Sequence, residues 1–181
     1  MKAEIWIITG TRGAGKTTLC RRLVNAARQA GWQVSGLLSP ALVEDGVKTG
    51  ILVEDLRTGE QRRLAAVNHG QSAQLATTGW VFDPVNMVWG QTVFESACPT
   101  DLLMVDELGP LEMMRGQGWT AALQALDEGQ FKLALVIIRP ELLEKAQSRW
   151  QAARVVLVDN VQQVEALSRE LEAAADWHMT D

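Results

Sequence analysis

The chain has no tyrosine, two histidines and only two cysteines, and seven tryptophans supply most of its aromatic rings. Cys20 falls inside an amphipathic stretch and Cys98 just before Pro99, with no C-x-x-C pair or metal-ligand spacing to join them. A disulfide framework and a cysteine-bound metal are therefore excluded, and reduced core thiols are expected. His69 and His178 are isolated and receive no role. Positive charge is also in short supply: 17 Lys and Arg against 22 Asp and Glu leave a net charge of -5, which gives no chain-wide attraction for polyanions. The basic residues are scattered, with Arg21, Arg22 and Arg28 on one helix and Arg62 and Arg63 on one strand, as solvated surface would have them. Neither nucleic acid nor a membrane is expected as a partner. No run approaches the ~18 uninterrupted apolar residues of a spanning helix. The opening residues enter a strand directly, without an apolar leader core or small-residue cleavage site, so the cytosol is the expected location. Repeats, low-complexity tracts and linkers are missing as well, and 181 residues at 47% hydrophobic content suit one domain over 1–181.

What is present is an alternation of short β-rich apolar runs with amphipathic helical stretches, the pattern of an α/β protein with a mostly parallel sheet. Strands are expected at 5–9, 32–38, 102–105, 133–138 and 155–158, and helices at 16–30, from Asp83-Pro84 to about 97, at 119–126, 141–150 and 161–175. In the first helix Leu19, Leu23 and Ala27 share a face with Cys20 and Val24, while Arg21, Asn25 and Arg28 point away. Between 41 and 67 the runs shorten and turn at Asp45-Gly46 and Thr58-Gly59, which predicts an antiparallel β insertion. Residues 68–78 are polar and aperiodic, and a mobile loop is expected there.

Between the first strand and first helix stands Gly10-Thr11-Arg12-Gly13-Ala14-Gly15-Lys16-Thr17, a match to G-x-x-x-x-G-K-(S/T) at every specified position. Phosphate oxygens need several N–H donors converging on a small volume, and glycines let the backbone curl around them. The helix that follows points its free amides and positive dipole end at the same anion. Lys16 can reach the β- and γ-phosphates, and the Thr17 hydroxyl can ligate Mg²⁺. A triphosphate site also needs a second anchor for the metal and a group that positions the nucleophile. Asp106 and Glu107 follow the apolar run 102–105, which places them at the carboxyl end of a buried strand. Asp106 is assigned to Mg²⁺ and Glu107 to the attacking water. A carboxylate next to the magnesium aspartate suits water better than another acceptor, so hydrolysis is preferred over kinase chemistry. A nucleotide-operated switch that needs a protein partner is the other alternative.

Arg139, at the end of the run 133–138, and Arg12 in the loop are candidates to stabilise charge on the transferring phosphoryl group, against the alternative of surface arginines. Glu112 reads either as an acid supporting the pair or as a solvated loop carboxylate. Trp80, Trp89 and Trp119 are candidates to stack on a base, with packing as the alternative for each.

The strings Gly10 to Leu19, Gly36-Leu-Leu-Ser-Pro, Gly50-Ile-Leu-Val-Glu-Asp-Leu-Arg-Thr-Gly and Val105-Asp-Glu-Leu-Gly-Pro-Leu-Glu-Met together resemble the small P-loop nucleoside-triphosphatases, also called cancer-related nucleoside-triphosphatases, over roughly residues 1–160. The resemblance implies a RecA-like sheet with helices on both faces and hydrolysis of ATP, GTP and other triphosphates with loose base preference. It also implies nucleotide contacts at Gly10, Thr11, Arg12, Gly13, Ala14, Gly15, Lys16, Thr17 and Thr18 and at Leu103, Met104, Val105, Asp106, Glu107, Leu108, Gly109 and Pro110. Two positions depart from the pattern: Lys48-Thr49-Gly50-Ile51, where a basic residue followed by Gly-Phe is usual, and Gly-Pro-Leu-Glu at 109–112 in place of Gly-Lys-Met-Glu.

Overall fold

A computed structural model describes residues 3–70, 79–175 and 177. The polar segment 68–78 lies mostly outside the described residues, as does His178. In chain order the elements are β1 (Glu4–Thr9), α1 (Lys16–Gln29), β2 (Val34–Leu38), β3 (Ala41–Glu44), β4 (Val47–Asp55), β5 (Gln61–Val67), β6 (Trp80–Phe82), α2 (Pro84–Glu95), β7 (Thr100–Leu108), α3 (Pro110–Arg115), α4 (Thr120–Glu128), β8 (Phe131–Ile138), α5 (Leu143–Arg149), β9 (Arg154–Leu157) and α6 (Val164–Ala174). Single 3-10 turns precede α5 and α6.

All the strands join one sheet in the order β6-β5-β4-β2-β7-β8-β1-β9, with β3 paired to β4. From β2 to β9 every neighbour is parallel, and from β2 outward through β4, β5 and β6 every neighbour is antiparallel. The insertion expected at 41–67 is present and extends to β6, a three-residue strand that pairs with the preceding strand β5.

The parallel strands are apolar on both faces, and alternate side chains feed two cores. Ile7, Leu103, Val105 and Val136 enter one core with residues of α2, α4 and α5, while Trp6, Ile8, Met104 and Leu135 enter the other with residues of α1 and α6. Helix α1 buries Leu19, Cys20, Leu23, Val24 and Ala27 as its periodicity demands. Asp83 caps α2 through bonds from the amides of Val85 at 2.8 Å and Asn86 at 3.2 Å, with Pro84 at the first helical position. The helix stops at Glu95, slightly short of the expected end.

Two arginines on α1 depart from the solvated-surface reading. Arg21 forms a two-pronged bond to the buried Glu54 of β4, at 2.9 and 2.6 Å, and Arg28 donates to the Leu56 carbonyl. These bonds tie the antiparallel wing to the helix that follows the glycine loop. Helix α3 is an element that periodicity does not reveal, because one and a half turns carry too little repeat.

Candidate active site

The parallel strands end together at one edge of the sheet, and the polar residues that follow them gather there. Strand β1 turns through Gly10 to Gly15 into α1. Gly10 has φ +148°, and a Cβ on it would fall 2.1 Å from the Val158 carbonyl oxygen, so only glycine lets the turn close against the end of β9. Gly15 caps α1 without a side-chain bond, which leaves the amides of the first turn directed at the loop. Lys16 folds back, its ammonium donating to the carbonyls of Gly10 at 2.7 Å and Thr11 at 2.8 Å. Phosphate oxygens would replace those carbonyls as its acceptors. Thr11, Arg12, Gly13 and Thr18 are exposed along the rim, while Ala14 anchors the loop in the α1 core.

Asp106 faces inward. It is 4% exposed, and its Oδ2 accepts the amide of Ser39, the residue after β2, at 2.7 Å. Burial pushes its pKa up to about 7 and the Glu107 charge adds to the rise, while the Ser39 amide, the Thr17 hydroxyl and the Lys16 ammonium oppose it. Lys16, Thr17 and Asp106 therefore share one small volume, although β8 separates β1 from β7.

Glu107 faces outward. The β7–β8 register shifts between Val105 and Leu108, and Glu107 adopts φ +66° within that bulge. Adjacent carboxylates are thereby given opposite environments, one enclosed and one at the rim. The Glu107 carboxylate accepts from Nε of Arg139, the residue after β8.

Several of the expected site residues lie in other surroundings. Leu103, Met104, Val105 and Leu108 are fully buried, so their side chains build the cores and hold the acid pair in place. Gly109 and Pro110 begin α3. Of the two readings offered for Glu112, the solvated loop carboxylate falls: it is 7% exposed and accepts bonds from the amides of Gly109 at 2.9 Å and Trp119 at 3.1 Å. Burial raises its pKa against the pull of those amides, and its work is to fix the loop that follows the acids. Trp119 lies in the core against Phe94, its indole N–H bonded to the Met87 carbonyl at 3.0 Å. Trp89 packs on the same core under Arg62.

Arg12 leaves the loop toward the wing, its guanidinium carbon 5.6 Å from the centre of the Trp80 ring. Ser39 carries no sequence signal, since its contribution is a backbone amide. Its hydroxyl is buried with no hydrogen-bond partner. Together with the Thr17 hydroxyl and the Asp106 carboxylate it makes an all-oxygen surrounding with one charge, which fits Mg²⁺, an ion that retains water and takes further ligands from phosphate. Among the described residues no group of three or more His, Cys, Asp or Glu could hold a metal ion.

A sequence model of a family described as NTPase matches residues 5–171. The nucleoside-triphosphatase THEP1 of Thermofilum pendens is 27% identical over 136 residues, 75% of each chain. That of Methanothermobacter thermautotrophicus is 23% identical over 172 residues, covering 95% of this chain and 97% of its own. Among solved structures, a human cancer-related nucleoside triphosphatase superposes with a TM-score of 0.71 at 19% identity, covering 98% of this chain and all of its own. THEP1 from Aquifex aeolicus gives 0.68 at 15% identity, covering 95% and 99%. These two structural likenesses carry the fold, a mostly parallel P-loop sheet.

Proposed function

This chain belongs to the NTPase family and is a nucleoside-triphosphate phosphohydrolase; from that premise we propose that its phosphate loop and acid pair form one Mg²⁺-dependent centre in a single catalytic domain over 1–181. The observation that carries this reading is the convergence of Lys16 and Thr17, the first residues of α1, on the enclosed Asp106 carboxylate of β7. Loop amides from Gly10 to Thr18 and the first turn of α1 would cradle the phosphates, and Lys16 would exchange its two carbonyl acceptors for phosphate oxygens. Thr17 and Asp106 would hold Mg²⁺, which would supply positive charge against the phosphate oxygens.

Glu107 takes the water. Its rim position leaves its carboxylate open to solvent while its neighbour is enclosed, so the nucleophile is oriented at the mouth of the site and its proton accepted there. Arg139 positions that carboxylate and adds positive charge beside the transferring group. ATP, GTP and other triphosphates are the proposed substrates. No helix among the described residues is long and apolar enough to cross a membrane, and the two free cysteines agree with a cytosolic location.

Replacing Glu107 with Gln tests the assignment. Nucleotide affinity is expected to stay nearly intact while turnover falls ~10²-fold or more, measured as phosphate release under single-turnover conditions beside a titration of bound nucleotide. An unchanged rate sinks the role given to Glu107.

A further inference from the structure

Lys48 lies far from the phosphate loop in sequence, in the stretch 48–51 that departs from the family pattern. Strand β4 runs antiparallel to β2, with Glu54 opposite Leu38, the last residue of β2. The first half of β4 therefore projects beyond the carboxyl end of β2 and overhangs the edge where the loop and acids gather; the six residues from Glu54 back to Lys48 span roughly 20 Å. The Lys48 ammonium lies 4.7 Å from the centre of the Trp80 ring, and the Arg12 guanidinium of the phosphate loop lies 5.6 Å from the same centre. Among the described residues neither cation has a carboxylate partner within salt-bridge distance. Two like charges thus share one indole, a surface that attracts each of them only weakly. Partial burial and then the Arg12 charge lower the Lys48 pKa, whereas Glu107 and Asp106 raise it, which puts Lys48 within electrostatic reach of both acids.

We infer that Trp80 is a resting perch for Lys48 and Arg12, and that a bound triphosphate draws Lys48 from the wing onto its terminal phosphate, so that this chain supplies its own transition-state cation. Phosphate oxygens offer Lys48 charge-assisted bonds that an aromatic face cannot match. A diphosphate, lacking the terminal group, leaves Lys48 on the ring. Arg139 is less available for this task, since Glu107 already occupies its Nε. The inference rests on the loop and acid pair being the hydrolytic centre.

Trp80 serves as its own reporter. In the full-length protein, the emission of wild type minus that of Trp80→Phe isolates this indole among the seven. A slowly hydrolysed triphosphate analogue with Mg²⁺ is expected to change that difference signal, and the diphosphate with Mg²⁺ to leave it unchanged. Lys48→Met is expected to lose the triphosphate response and ~10²-fold in kcat, with diphosphate affinity within about twofold of wild type. Lys48→Arg should recover most of both. A Lys48→Met protein with wild-type kcat and an intact triphosphate response overturns the inference. Lys16→Met separates the two levels. If it still binds both nucleotides, the reading of the whole centre fails; if it loses both while Lys48→Met behaves as wild type, only the assignment of Lys48 and its perch fails.

Discussion

The two halves of the sheet are held together by different means. Between β2 and β9 the strands are sealed on both faces, and Ile7, Leu103, Val105 and Val136 have little or no exposure. In the wing, β3 is mostly exposed, β6 only half-buried, and Val43 and Val47 stand out in solvent at 55% and 64%. The wing joins the rest through Val53 and Leu64, which enter the same core as Leu103 and Val136, and through polar bonds: Arg21 on Glu54, supported by Gln61 at 2.9 Å, and Arg28 on the Leu56 carbonyl. The half that must hold phosphate donors still is built from close apolar packing. The half that brings Lys48 to the rim has little core of its own, which is where regions able to open locally are found.

The seam between the halves is where that contrast should break most sharply. Gly36 of β2 has φ +96°, and a Cβ there would fall 2.0 Å from the Met104 carbonyl oxygen, so Gly36→Ala must displace the backbone between β2 and β7. A loss of ~3–5 kcal/mol in urea unfolding is expected, and a loss under about 1 kcal/mol would show the seam to be looser than described. Next in size, Leu103→Ala in the parallel half should cost about 2–5 kcal/mol. The same truncation at half-buried Leu42 of β3 should cost less than about half as much, since less area leaves water. Equal losses at the two sites would erase the distinction between the halves.

The smallest effect concerns the clamp. The Arg21 bond holds the Glu54 carboxyl below the usual range, against the opposing effect of burial. The sign follows from that depression: the clamp's contribution is fully present above the ordinary glutamate pKa and is lost as pH falls through the lowered one. Arg21→Met should cost ~1–3 kcal/mol near neutrality and flatten the fall of stability with acid in that window. An acid profile parallel to wild type would show that the pair does not couple the wing to α1.

How much of this was legible in the sequence depended on whether the signal was local. The phosphate loop, α1 and the acids after an apolar run are each written within a few adjacent residues, and the structure places them as read. The insertion at 41–67 was visible through its turns, and at Asp45-Gly46 both residues have positive φ, the geometry that such a dipeptide favours. Strand β6 is too short for periodicity and exists only through its pairing with β5. Glu112 is legible in part: in Gly109-Pro110-Leu111-Glu112 the glutamate stands at the third helical position, from which its carboxylate reaches back to the Gly109 amide. Lys48, by contrast, is an exposed lysine on a hairpin, and only the overhang of β4 past β2 reveals what it faces.

Glu107 keeps a left-handed backbone that a residue with a β-carbon resists by about 1 kcal/mol or more. Glycine at that point would relax the bulge and make a sturdier molecule, without the carboxylate to which the attacking water is proposed to be bound. Durability and turnover are thus opposed at a single dihedral angle.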